Sequence, residues 1–334
     1  MNPLSLKPTF KGGIHPPDSK LTRGKEIKKL SPTGPLIIPL RQHIGAPAEP
    51  IVEEGDRVKR GEKIGKAQGF VSSPIHASTS GEVEEIGNFP HPSGSEVRGI
   101  KIAPDGKDEP IGFSETNPAE FTDDEILERI QEAGIVGMGG AAFPTHVKLS
   151  PPEDKTIDTL IINGAECEPY LTADFRLMLE EPEAVVEGTE LIADLLNVDR
   201  TYIGIEDNKP EAIESLEKGS GDSLEVVELS TKYPQGWEKT LIHALTGREV
   251  PVAGLPLDVG IVVQNVGTIK AVRDAVKFGK PLTERIVTAT GEISEAGNYS
   301  VRVGTRWEDL IEQLGGVSED RTAKLIDGGP MMGD

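Results

Sequence analysis

The sequence is short of the residues that build disulfides, metal centres and nucleic-acid surfaces. Cys167 is its one cysteine in 334 residues. That excludes an internal disulfide framework, and it excludes an iron–sulfur cluster built from this chain alone, since a cluster takes about four thiolates. His76 and His91 have no cysteine or acidic partner at ligand spacing, so no metal ligand is assigned and both are expected as solvated loop residues. Lysine and arginine total 35 against 56 aspartates and glutamates, a formal net charge of −21. This balance excludes a nucleic-acid partner, because a phosphate backbone needs clustered cations, and it gives an acidic, solvated surface. Long apolar runs are missing too. No stretch approaches the ~20 residues of a membrane span, and the start, Met1-Asn-Pro-Leu-Ser-Leu6, lacks the apolar core of a signal peptide. The expectation is a chain without a transmembrane segment of its own that works on the cytoplasmic side.

What is present divides into three stretches, and a 36% hydrophobic content over this length suffices for two or three domains with cores of their own. Residues 1–118 carry many glycines and prolines, short apolar runs and no helical period. Within them, Glu53-Glu-Gly-Asp-Arg-Val-Lys-Arg-Gly-Glu-Lys-Ile64 and Val71-Ser-Ser-Pro-Ile-His-Ala-Ser-Thr-Ser-Gly-Glu-Val83 resemble the two halves of a β-rich barrel-sandwich of the biotinyl/lipoyl type. A carrier domain of that type presents a modifiable lysine beside a methionine, and no such pair exists here. A structural or docking module is expected.

Residues 119–282 open with a helix, because Thr122 and Glu125 have capping-box spacing, Ile126, Leu127 and Ile130 form one stripe, and Gly134 supplies the stop. Strands at 160–163, 202–205, 224–229 and 259–263 then alternate with helices at 183–196, 210–216, 238–245 and 268–278. This alternation predicts an α/β domain with a central Rossmann-like parallel sheet covered on both faces. Residues 283–334 read as strands at 286–290, 299–305 and 324–326 around a helix at 307–314, a small rigid connector.

The candidate site falls where loops leave the central sheet. Glycines 137, 139 and 140 in Gly137-Met-Gly-Gly-Ala-Ala-Phe-Pro-Thr-His-Val-Lys148 let backbone N–H groups approach a phosphate, and Lys148 adds a point charge. Asn163-Gly-Ala-Glu-Cys-Glu-Pro169 follows an apolar strand and sits at its C-terminal edge, where open α/β sheets bind ligands. Tyr233-Pro-Gln-Gly-Trp-Glu-Lys-Thr-Leu241 and Gln264-Asn-Val-Gly-Thr268 each run into a helix N-terminus, which favours phosphate. An anionic ligand on so acidic a chain needs a local cation, and Lys148, Lys239 and Lys270 are candidates.

These segments resemble the RnfC component of the Rnf electron-transport complex, a relative of the NADH- and FMN-binding subunit of respiratory complex I. The likeness extends through Phe10-Lys-Gly-Gly-Ile-His-Pro-Pro17, Gln42-His-Ile-Gly-Ala-Pro-Ala-Glu-Pro50, Val262-Val-Gln-Asn-Val-Gly267 and Gly328-Gly-Pro-Met-Met-Gly333, essentially the whole chain. The resemblance implies FMN contacts from Gly137, Gly139, Lys148, Asn163, Gly236, Glu238, Asn265 and Thr268, with Glu166 also in the cofactor site. It implies NADH contacts from Gly140, Ala141, Phe143 and Glu168, and hydride transfer to the flavin without a protein nucleophile. It implies a complex I FMN-subunit-like central domain and a small β-grasp domain as the third stretch. It also implies subunit partners in a membrane ion-translocating complex, with this chain peripheral on the cytoplasmic face, and [4Fe–4S] clusters that take single electrons. The cysteine-rich segment that the family carries after Gly-Pro-Met-Met-Gly is not in the sequence, which stops at Asp334. A fragment is expected, the alternative being clusters on another chain.

The chain departs from the family pattern at Ala142, which replaces a glycine, and at Trp237, where a small residue is usual. The Trp237 indole either stacks on a ligand ring or fills the space of the nicotinamide. Rival readings are a cobalamin-reductase-type flavoprotein and a non-enzymatic docking protein with a vestigial nucleotide pocket.

Overall fold

A computed structural model of the chain describes residues 7–91, 94–221, 224–318 and 320–333. The readings of residues 1–6 and of the stop at Asp334 lie outside the described residues. Apart from β1 (Ile27–Lys29), the first strands belong to one β-rich unit: β2 (Leu36–Pro39), β3 (Glu49–Pro50), β4 (Arg57–Val58), β5 (Lys63–Lys66), β6 (Ile75–His76), β7 (Gly81–Pro90) and β8 (Glu96–Pro104). They form a sheet of order β2-β8-β7-β4 and a second of order β3-β5-β6. Inward side chains of Leu36, Ile38, Ile64, Ile75, Val83, Ile100 and Ile102 share one buried cluster, as alternation along a strand requires. His76 corrects its expectation. It is buried at 7% exposure on β6 rather than solvated in a loop, and burial first, then the nearby Lys63 charge, lowers its pKa to about 4.

The central unit begins at α1 (Asp123–Glu132), whose N-terminus carries the expected reciprocal cap between Thr122 and Glu125. It continues through α2 (Thr145–Lys148), β9 (Thr159–Asn163), α3 (Ala173–Glu180), α4 (Pro182–Leu196), β10 (Arg200–Glu206), α5 (Pro210–Gly219), β11 (Leu224–Leu229), α6 (Glu238–Thr246), β12 (Ile261–Asn265) and α7 (Val266–Phe278). All ladders in its sheet are parallel, in the order β11-β10-β9-β12. Leu160, Ile162 and Val262 join the helices α1, α3, α4, α5 and α7 in the main core. Ile161, Ile261 and Val263 point the other way and pack with Leu241 and Ile242 of α6. Burial on both faces explains why β9 reads as a continuous apolar run. From β9 the chain winds outward to β10 and β11, then returns on the opposite side as β12, so the strand order reverses between β9 and β12.

The last strands, β13 (Glu284–Ala289) and β14 (Gly297–Arg302), pair antiparallel, and α8 (Trp307–Gln313) buries Leu310 against Tyr299 and Val301. The third strand of this sheet is β1, parallel to β14, drawn from the start of the chain. Residues 324–326 form no strand, which corrects the closing strand expected there.

Candidate functional site

The reversal point brings two asparagines side by side. Asn163 ends β9, Asn265 ends β12, and the two are register partners. Asn163 Nδ2 donates to the Gly236 carbonyl at 2.8 Å, while its Oδ1 accepts from Ala165 N at 3.1 Å. Asn265 Oδ1 accepts from Gly267 N at 2.8 Å and Thr268 N at 3.4 Å, capping α7. Its Nδ2 donates to Asp174 Oδ2 at 2.7 Å. Each amide thus fixes the loop that follows or faces it.

The glycine loop closes over this pair. Gly137 N donates to the Phe143 carbonyl at 2.9 Å, and Met138 N donates to the buried Thr268 Oγ1 at 2.9 Å. A Cβ on Gly139 would stand 2.8 Å from Asn265 Cβ, so only glycine lets the loop lie so near the strand end. One residue on, a Cβ on Gly140 would meet nothing within 4 Å, so open space faces the backbone there. Among the described residues, no protein acceptor takes the N–H groups of Gly139, Gly140 or Ala141. Ala142 holds φ +48°, a left-handed conformation that favours glycine.

Lys148, at the end of α2, places Nζ 2.6 Å from Glu238 Oε1 at the start of α6. Both side chains are partly exposed, so the pair itself stabilises the fold by only ~0–1 kcal/mol. Among the described residues no side chain caps α6, whose N-cap residue is Trp237, 53% exposed. Gly236 N donates to Cys167 Sγ at 3.3 Å, and burial pushes that thiol up to about 11, so it stays protonated at neutral pH. Lys239 turns to the Pro251 carbonyl at 3.1 Å, and Lys270 pairs with Asp274 at 3.1 Å. Of the three candidate lysines, Lys148 is the one bonded to a site residue.

The acidic loop after β9 is held from both sides. Glu166 accepts from Asp174 N at 2.7 Å and Phe175 N at 3.2 Å, so its carboxylate caps α3. Glu168 Oε1 accepts from Met331 N at 2.6 Å, in the Gly-Gly-Pro-Met-Met-Gly segment. Lys20 Nζ donates to the carbonyls of Glu166, Glu168 and Leu171 at 2.8, 2.9 and 2.6 Å, and burial lowers its pKa. The Asp174 carboxyl is pushed up to about 6 by burial and then by the charge of Glu166. Sequence reasoning missed Lys20, Asp174 and Met138. Lys20 reaches the loop from far away in the chain and gives no local signal, whereas Asp174 is one of the acidic first-turn residues typical of a helix start.

Chemically, free loop amides, an uncapped helix start and one lysine suit an anionic phosphate ester, and the paired asparagines line the crevice where a ring or polyol would lie. The sheet and loops define a flavin domain of the complex I type: residues 130–274 match the Nuo51 FMN-binding domain. Residues 8–107 match the RnfC barrel sandwich hybrid domain and residues 286–334 the SLBB domain. The chain belongs to the RnfC family of ion-translocating oxidoreductase complexes. It is 54% identical to the corresponding component of the proton-translocating ferredoxin:NAD(+) oxidoreductase complex of Clostridium ljungdahlii, over 97% of this chain and 72% of that protein. Its counterpart in the Na(+)-translocating ferredoxin:NAD(+) oxidoreductase complex of Acetobacterium woodii is 47% identical over 97% of this chain and 74% of its own length. The counterpart in the ion-translocating oxidoreductase complex of Rhodobacter capsulatus is 44% identical, over 97% and 64%. The fold also resembles an NAD+-reducing [NiFe]-hydrogenase in the air-oxidized state, at 24% identity and a TM-score of 0.53, covering 61% of this chain and 40% of the other.

Proposed function

We propose that this chain binds FMN in the crevice between β9 and β12, accepts hydride from NADH there, and passes electrons onward as part of a ferredoxin:NAD+ oxidoreductase at the membrane. The observation that carries the reading is the register pairing of Asn163 with Asn265 beneath a glycine loop in which, among the described residues, the amides of Gly139, Gly140 and Ala141 have no protein acceptor. When bound, the flavin supplies two-electron hydride chemistry on one side and one-electron transfer on the other, while the protein supplies orientation and electrostatics. Gly139, Gly140 and Ala141 present amides to phosphate, with Gly137 closing the loop behind them and Lys148 giving the charge. Gly236, Glu238, Asn265 and Thr268 shape the remaining wall, and Glu166 acts through α3 and Asp174.

Phe143 and Glu168 serve the nucleotide. A ribose hydroxyl donates to the Glu168 carboxylate that Met331 N occupies in this structure, and that negative charge disfavours a 2′-phosphate. The unit boundaries proposed are 1–118 for the barrel-sandwich, 119–282 for the flavin domain and 283–334 for a β-grasp connector. Electrons leave toward iron–sulfur clusters in a further cysteine-rich segment or on a partner chain, with the chain peripheral on the cytoplasmic face. No helix among the described residues is long and apolar enough to cross a membrane.

Lys148→Ala tests the anchor. Loss of one charge-assisted contact, ~1.5–3 kcal/mol, weakens FMN binding by about one to two powers of ten. Fluorescence-quenching titrations read the change, and an unaltered affinity would remove Lys148 from the site.

A further inference from the structure

The third sheet also touches the glycine loop. Arg285 lies on β13, the second residue of the strand, and its Nη2 donates to the Met138 carbonyl. Met138 is therefore held through both of its flanking peptide groups, its N–H on Thr268 of α7 and its C=O on Arg285. The loop cannot swing without breaking one of the two. Asp174 and Asp327 are the carboxylates whose fields act on the guanidinium. Asp174 in turn accepts from Asn265, so the arginine, the loop and the end of β12 form one connected set.

A guanidinium offers five N–H donors in a planar fork suited to phosphate. Lys148 is engaged with Glu238, whereas Arg285 is bonded to the loop directly, next to the three amides that lack an acceptor among the described residues. On a chain of net charge −21, an anion reaching those amides needs a cation at contact range. We infer that Arg285 is a phosphate-binding residue of the site, contributed by the third sheet, which fixes the glycine loop through Met138 and bonds a phosphate group laid along residues 139–141. This rests on the flavin reading above. The phosphate is either the monoester of FMN or the diphosphate of the dinucleotide, and the ligands below separate the two.

The test uses the full chain as wild type, Arg285→Gln and Arg285→Lys, titrated with FMN, with riboflavin, which lacks the phosphate, and with ADP-ribose on the FMN-loaded protein. If Arg285 bonds the monoester, Arg285→Gln loses about ten- to a hundredfold in FMN affinity while riboflavin stays within about threefold. If it bonds the diphosphate, both flavins bind as before and ADP-ribose weakens by a similar factor. In either case Arg285→Lys recovers part of the loss, because charge is retained without the fork. Equal weakening of all three ligands with a lower thermal midpoint would make Arg285 a structural strut and overturn the proposal. Unchanged binding of all three would overturn it too. A wild-type chain that does not prefer FMN to riboflavin would fail the flavin reading itself, a result distinct from either.

Discussion

The Trp237 indole is 53% exposed at the N-cap of α6, adjacent in sequence to Glu238 and Gly236. Beside the proposed nucleotide site, an exposed aromatic either covers a base or obstructs it. We expect obstruction. Hydride transfer needs aligned approach, and a displacement on the order of 1 Å costs about a hundredfold in rate. Trp237→Gly should therefore speed anaerobic bleaching of bound flavin by NADH and leave FMN affinity nearly unchanged. Slower bleaching in the variant would instead make the indole a stacking surface.

At the scale of elements, the glycine loop is braced by its neighbours. The first unit reaches it through Ile44 N, which donates to the Ala142 carbonyl at 3.3 Å, and through His146, whose ring nitrogen bonds the Phe70 carbonyl at 3.1 Å. Nearby, β6 buries His76 against the end of α1, where Gly134 at φ +69° leaves room for the ring. His76 has a folded pKa lowered from 6.5 to about 4, so the fold holds it neutral while the unfolded chain takes up a proton. Stability is intact above 6.5 and falls as pH drops toward about 4. A loss on the order of 2–3 kcal/mol over that window is expected from this group. Urea unfolding across the window should show it in wild type and not in His76→Gln, and identical pH dependence in both would exclude His76 as the cause.

Many elements are legible in the sequence because their signals are local. The Thr122–Glu125 cap starts α1, an apolar run is β9, and periodicity marks α4, α6 and α7. α2 is a single turn with too few residues to show a period, and α3 starts on a cap from Glu166 that no sequence rule at N-cap spacing anticipates. Residues 324–326 have strand composition but gain no ladder partner, and the burial of His76 is illegible because it comes from a neighbouring unit. Of the site, the loops and both asparagines can be read. Lys20 and the Met331–Glu168 contact cannot, since each joins residues about 150 positions apart.

Three separate parts of the chain are tied together at Asn298. Its Nδ2 donates to the carbonyls of Thr22 and Lys25 at 3.1 and 3.0 Å, and its Oδ1 accepts from Thr172 and Thr288 at 2.8 and 2.9 Å. The start of the chain, the flavin domain and the third sheet meet in that one fully buried amide. With β1 completing the third sheet, the Met331 and Arg285 contacts are held in fixed relation to the crevice. The cobalamin-reductase and docking-protein readings accept the same fold but differ in what the crevice does. The measurement that separates them is an anaerobic titration of the FMN-loaded chain with NADH, followed by flavin absorbance. Our account predicts that FMN binds one per chain and that NADH bleaches it, slowly in wild type. A chain that takes up no FMN, or that holds FMN oxidised under excess NADH both as wild type and as Trp237→Gly, would contradict it.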